Sequence, residues 1–206
     1  RQLRDAGVTI GAHTAGHEHL AAIDEEEVIR TLERSKDSFK RELGEVPALF
    51  AYPYGEMSLK VKKIIQDQGF LMAFGQHSGV AEAGLDLFYQ PRFALNENYG
   101  ALSRFRLAAN SLPMGARDIV PREKTLIQNP PSFGFTIDSS VKSINQLNCF
   151  ASHESTPARL ERLGERRFEV RLNTPFPPGR GRFNCTARTE DNRWRWFGEQ
   201  FYIPRP

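Results

Sequence analysis

Val8-Thr9-Ile10-Gly11-Ala12-His13-Thr14-Ala15-Gly16-His17-Glu18-His19-Leu20 is the stretch on which the reading of this chain turns, because it holds three of the five histidines. His13 and His17 lie four positions apart, so one turn of helix or a tight loop aims both imidazoles at one point, as a divalent metal requires. Two ligands are too few. A catalytic zinc usually takes three protein ligands and a water, and a carboxylate oxygen is a common third. A bare pair at this spacing also reads as surface histidines at a helix start, so the surroundings decide. Val8-Thr9-Ile10 is a β-branched run that predicts a buried strand, and Gly11 and Gly16 permit a sharp path directly after it. The C-terminal end of a strand is where sites collect in α/β proteins.

Downstream, strand and helix signals alternate. Asp24 with Glu27 predicts a capped helix start, Val28, Leu32, Phe39 and Leu43 recur at helical spacing, and Gly44 ends the helix. Pro47 to Ala51 predicts a second strand that runs into Tyr52-Pro53-Tyr54-Gly55. A helix from Ser58 turns Val61, Ile64 and Ile65 inward and stops at Gly69. Phe70 to Phe74 and Leu87 to Tyr89 predict two more strands, with His77 and Arg92 just beyond their exits. A helix over 101–110 offers Leu102, Phe105 and Leu107 for burial. This alternation predicts a parallel α/β sheet or barrel with its site at the strand exits.

From Leu112 the pattern changes. Pro113, Pro121, Pro130 and Pro131 punctuate a stretch without periodicity, so 113–127 is predicted to be a linker between a first domain, 1–112, and a second, 128–206. In the second domain the period is two: Phe168, Val170 and Leu172 alternate with Glu169 and Arg171, and Phe183 and Cys185 with Arg182 and Asn184. A small all-β sandwich is expected. Trp194 and Trp196, with Tyr202, either pack between its sheets, the reading preferred, or stack on sugars. Cys149 and Cys185 are either buried free thiols or a disulfide joining the two sheets of an exported protein.

The 206 residues carry a net charge of +3, too little to imply nucleic acid. The balance is uneven: 14 basic against 16 acidic residues in 1–120, and 14 against 9 in 121–206, which makes the second part the one to meet an anionic envelope surface. No apolar run approaches the roughly 20 residues of a membrane span. The opening Arg1 to Gly7 reads as the last turn of a helix, so the chain is expected to be a fragment whose first strands and any signal segment lie upstream.

In combination, His13-Thr14-Ala15-Gly16-His17 after one strand and Phe50-Ala51-Tyr52-Pro53-Tyr54-Gly55 after the next resemble the NodB-homology polysaccharide deacetylases, carbohydrate esterase family four. The likeness covers roughly residues 1–110. It implies an α/β fold, here a partial NodB-type distorted (β/α) barrel followed by the small β-sandwich, and a metal-dependent enzyme, usually with zinc, that removes acetyl groups from N-acetylglucosamine polymers outside the cytoplasm, in the periplasm or beyond. His13 and His17 match the metal histidines, Thr14 the residue that buttresses them, and Tyr54 the backbone N–H that faces the oxyanion. Tyr52, Pro53 and Tyr54 would line the substrate groove, while Glu18 and His19 stay exposed or behind the ligands. The family's Thr-Phe-Asp-Asp motif, source of the metal aspartate and the catalytic base, is absent, so this stretch alone is expected to bind metal weakly and not to catalyse. Ala51 stands where the family usually has an arginine, a cation Arg92 could replace. No Leu-x-x-His supplies a general acid, which leaves His77 as the candidate, or as a hydrogen-bonded structural histidine. The competing reading is a non-catalytic carbohydrate-binding or scaffolding protein on a degenerate deacetylase domain.

Overall fold

The computed structural model describes residues 1–142 and 144–205. It is a mixed α/β structure with two hydrophobic cores. After a single helical turn, α1 (Gln2–Asp5), comes the long helix α2 (Glu25–Leu43), then β1 (Leu49–Ala51), α3 (Leu59–Asp67) and β2 (Met72–Phe74). Both helix starts are set by side chains: Asp24 accepts from the Glu27 amide at 2.8 Å and Ser58 from the Val61 amide at 3.1 Å. Gly44 closes α2 in the left-handed conformation that a glycine takes without steric cost. The buried stripe of α2 is Val28, Thr31, Leu32 and Ser35, positions that share one face at helical spacing.

β1 and β2 pair in parallel, and single parallel bridges extend the sheet on both sides, Ala12 to Phe50 and Phe74 to Gln90. Among the described residues the sheet is open and forms no closed barrel. Two of the predicted strands are therefore reduced to one bridging residue each. Val8-Thr9-Ile10 carries no ladder, with Val8 47% exposed, and Leu87 to Tyr89 is a turn that enters the sheet only at Gln90. Helix α4 (Leu102–Asn110) buries no residue, and Leu102 and Phe105, expected inside, are exposed.

The predicted linker is structured. β3 (Leu112–Pro113) and β4 (Ala116–Val120) precede β5 (Phe133–Ile137), β6 (Asn148–Ala151), β7 (Arg159–Arg162), β8 (Arg167–Arg171), β9 (Gly179–Arg188) and β10 (Trp194–Ile203). These form two four-stranded sheets, β3-β10-β9-β6 and β4-β5-β8-β7, whose inward residues share one core. Both β3 and β4 are edge strands, where a proline's missing N–H costs no ladder bond: Pro113 lies in β3 and Pro121 directly follows β4, while Pro130 and Pro131 stand in the irregular segment before β5. Cys149 and Cys185 sit opposite each other on adjacent strands of one sheet and are disulfide-bonded, so the bond ties neighbours within a sheet instead of joining two sheets.

The phase of β10 places the remaining features. Phe197, Phe201 and Ile203 enter the core, and with a period of two the even-numbered residues face the other way. That outer face lies against the first domain: Trp196 packs edge-on to Phe93, Gly198 meets the Ser78 backbone, and Gln200 reaches Tyr54. The tryptophans are thus half-buried on the outside of a sheet, Trp194 under the Arg188 guanidinium, and do not belong to the core between the sheets.

Candidate active site

The histidine stretch leaves the sheet at Ala12 and turns sharply. Thr14 and His17 both adopt left-handed backbone angles, with φ of 61° and 60°. The Thr14 hydroxyl accepts from the His17 amide at 3.0 Å, and the Thr31 hydroxyl of α2 accepts from the Ala15 amide at 3.3 Å. The predicted buttress is therefore a local brace that presents His17. His13 is oriented differently: its Nδ1 lies 2.7 Å from the Ala51 carbonyl, the bond of an Nδ1–H donor, which leaves Nε2 as the free lone pair. Burial holds its pKa below the ordinary value; the Ala51 bond opposes this, and the charges of His17 and Arg92 add to it. The two rings meet edge to face with centroids 4.7 Å apart.

The second motif closes on the same point. Pro53-Tyr54-Gly55 forms a single 3-10 turn in which Tyr54 is left-handed, φ 57° and ψ 1°. Its internal bonds use the amides of Gly55, to the Tyr52 carbonyl, and of Glu56, to the Pro53 carbonyl. Gly55 itself is required: a Cβ there would stand 2.4 Å from the Gln76 amide nitrogen. The Tyr54 ring contacts His17 edge-on at 4.4 Å and lies flat on His19 at 4.0 Å. Among the described residues five non-glycines have positive φ, and three of them, Thr14, His17 and Tyr54, meet here. Each left-handed residue costs on the order of 1 kcal/mol or more, and such strain concentrates at functional sites.

Three residues that sequence reasoning missed complete the surroundings. Glu56 is 2% exposed and takes the His19 Nδ1 at 2.8 Å. Arg180 of β9 holds its guanidinium 5.3 Å from the Tyr54 ring centre and its Nε 4.0 Å from Glu56. Gln200 of β10 donates to the Tyr54 carbonyl at 2.9 Å. Glu56 was open to notice, as an acidic residue directly after the Pro-Tyr-Gly turn. Arg180 and Gln200 carried no signal.

Of the predicted site residues, the structure brings together His13, His17 and Tyr54. Pro53 is buried beneath the turn. Tyr52 lines no groove: it is fully buried in the first core and donates its hydroxyl to the Phe88 carbonyl, because it occupies the inward phase just after β1. Arg92 donates to the Gly75 carbonyl at 2.9 Å, with its charge felt at both His13 and His77. His77 stands apart from the ring cluster. It is 3% exposed, packs on Tyr89 with centroids 4.5 Å apart, and lines a cavity of about 810 Å³ between the domains with Lys124 and Glu199. Burial foremost pushes its pKa down to about 4, which reads as a neutral structural imidazole. That cavity includes neither His13 nor His17 and is a gap at the domain interface rather than a groove over them.

The imidazole pair has the donor chemistry of a divalent-metal site, with one ring oriented through its second nitrogen as metal-bound histidines are. Among the described residues no third His, Cys, Asp or Glu joins the pair to make a group of three. The described residues therefore offer two imidazole donors at this point.

Comparison with known protein families points to the same stretch. Residues 1–73 match the polysaccharide deacetylase family model. The likeness first seen in the histidine and Pro-Tyr-Gly motifs thus holds over the segment that contains both. Solved structures to which the chain is similar include the deacetylase PplD of Streptococcus pyogenes in complex with acetate, at 19% identity and a TM-score of 0.46, covering 51% of this chain and 46% of that one. A polysaccharide deacetylase of Bacillus cereus is similar at 21% identity and a TM-score of 0.45, over 52% of this chain and 34% of that one. A de-N-acetylase of Aggregatibacter actinomycetemcomitans matches at 16% identity with a TM-score of 0.39, over 52% and 50% respectively. The chain spans half or less of the length of these proteins.

Proposed function

We propose that this chain is part of a metal-dependent polysaccharide N-deacetylase acting on N-acetylglucosamine polymers, its first domain a partial NodB-type barrel and its second a β-sandwich. One observation carries the reading: His13 and His17 converge beside a left-handed Tyr54, all within the residues that match the deacetylase family. In this reading the two imidazoles hold a divalent cation, zinc by the character of the donors, and further donors come from outside the described residues. A metal there supplies Lewis acidity toward an amide carbonyl.

The chain's own residues do the rest. His13 is aimed by the Ala51 carbonyl, and burial lowers its pKa, which favours the neutral form in which an imidazole can donate its lone pair. The Tyr54 N–H, not used by its own turn, is the donor for charge that develops on the acetyl oxygen; one such donor typically contributes on the order of 10²–10³ in rate. Arg92 sets a cation near His13, and His77, neutral and enclosed, is assigned to packing and not to proton transfer. An oxidising compartment, periplasmic or extracellular, fits the Cys149–Cys185 bond. The basic excess of residues 121–206 suits an anionic envelope polymer. Among the described residues no helix is long and apolar enough to cross a membrane.

Calorimetric titration with zinc tests the site. The wild-type chain is expected to bind, and His13→Ala and His17→Ala each to lose roughly tenfold or more in affinity. Equal affinity for wild type and His13→Ala would show that the pair is not the metal site.

A further inference from the structure

We infer that the second domain forms part of the candidate active site, with Gln200 and Arg180 as positioning residues for the strained Tyr54 turn. The inference rests on the deacetylase reading only for what Tyr54 does there. A left-handed tyrosine relaxes toward ordinary backbone angles unless its surroundings over-determine it. Here the peptide is gripped at successive carbonyls. Gln200 Nε2 donates to the Tyr54 carbonyl at 2.9 Å, and the Tyr89 hydroxyl, 3.0 Å from the Gly55 carbonyl and 3.2 Å from that of Gln200, lies across the same junction.

Gln200 is itself fixed. It is 1% exposed, its Oε1 accepts from Arg182 Nε at 2.8 Å, and its position in β10 is opposite Arg182 in the β9 ladder. The amide can therefore present only its NH₂ to Tyr54. The other hold is on the side chain. Arg180, on the same outer face of β9, places its guanidinium at the Tyr54 ring and near the buried Glu56 carboxylate, which in turn takes His19 from the far side of the motif. Arg180 is still 37% exposed, so it stands at the rim of the site where a glycan would enter. The domains are also locked in place close by, since a Cβ on Gly198 would stand 2.1 Å from the Ser78 carbonyl oxygen. A domain that merely followed the first one in sequence would not need a glycine at that approach, nor a buried amide aimed at this peptide.

The test is made on the whole chain without metal or ligand, so its outcome is independent of the zinc titration. Gln200→Glu keeps the size and the acceptor toward Arg182 but removes the donor to Tyr54. Its readouts are the imidazole C–H proton signals and amide hydrogen exchange over residues 54–56. Because the Tyr54 ring packs on His17 and His19, its ring current displaces their signals. In Gln200→Glu both signals are expected to move toward unstructured positions and exchange over 54–56 to rise about tenfold, a loss of roughly one hydrogen bond's worth of protection. The His153 signal, whose ring packs on Phe176 of the second core, stays in place. Folded Gln200→Glu with unmoved His17 and His19 signals and unchanged exchange overturns the inference. Should Gln200→Glu not fold, Arg180→Gln decides, being a substitution at an exposed side chain: a displaced His19 signal supports the inference, and an unmoved one refutes it.

Discussion

His77 should make the stability of this protein fall with acid in a way that one substitution removes. The imidazole is enclosed, its Nδ1 has no hydrogen-bond partner among the described residues, and the charged groups that face it are Glu199, Lys124, Arg182 and Arg92. Burial dominates and depresses the folded pKa to about 4, against 6.5 for an ordinary histidine. A depressed pKa means that the unfolded chain takes up the proton first. The contribution is fully present above pH 6.5, is lost as the pH falls from there toward 4, and does not change further below. At about 1.36 kcal/mol per pH unit, that interval corresponds to about 3 kcal/mol. Urea unfolding of the disulfide-intact protein, followed from about pH 7 to about pH 4, measures it. Wild type should lose about 3 kcal/mol more than His77→Gln across that range, because the carboxylates that titrate in both proteins cancel in the difference. Parallel stability curves would mean that His77 accepts its proton without unfolding, and the enclosed-histidine argument would fail.

Three further outcomes follow from packing and charge. Gly198→Ala forces a methyl against the Ser78 backbone and should cost about 1–3 kcal/mol in urea unfolding, while Gly164→Ala, with nothing within 4 Å of its Cβ, serves as the neutral control. Lys124 and Glu199 form a buried pair at 2.9 Å, so Lys124→Met strands a carboxylate and should cost about 3–5 kcal/mol; the double variant Lys124→Met, Glu199→Leu should recover much of that loss in the same assay. Asp24→Ala removes the acceptor for the Glu27 amide at the head of α2 and should lower stability by about 1 kcal/mol, read from the thermal midpoint.

What was legible in the sequence was what local chemistry decides. Asp24 and Gly44 bounded α2 because a cap and a left-handed glycine act within a few residues, and Ser58 did the same for α3. The histidine pair and the Pro-Tyr-Gly turn were legible for the same reason, each needing only its own stretch of backbone. Elements with few local constraints were misread. Val8 to Ile10 has a strand's composition, yet its ladder reduces to the one bridge at Ala12, and composition carries no information about how many partners a segment finds. The stretch 116–120 hid its strand because a bulge with a left-handed Asp118 shifts the register between Arg117 and Val120, which breaks the period of two that would have revealed it.

The tryptophans show the same limit from the other side. Alternation in Trp194-Arg195-Trp196 is real, but period two alone assigns no face, and size favoured burying the tryptophans. The core phase is set instead by Phe197, Phe201 and Ile203. That phase sends Trp196, Gly198 and Gln200 outward together, onto Phe93, Ser78 and Tyr54. Gln200 and Tyr54 are 146 positions apart, and a buried amide in a strand otherwise reads as an unremarkable polar residue on a solvated face. A polar residue with 1% exposure on the outer face of a sheet must have its hydrogen bonds met; Arg182 of the neighbouring strand meets the acceptor, and the Tyr54 carbonyl of the first domain meets the donor. The candidate site is therefore a product of two domains, and neither motif in the first could have revealed the residues supplied by the second.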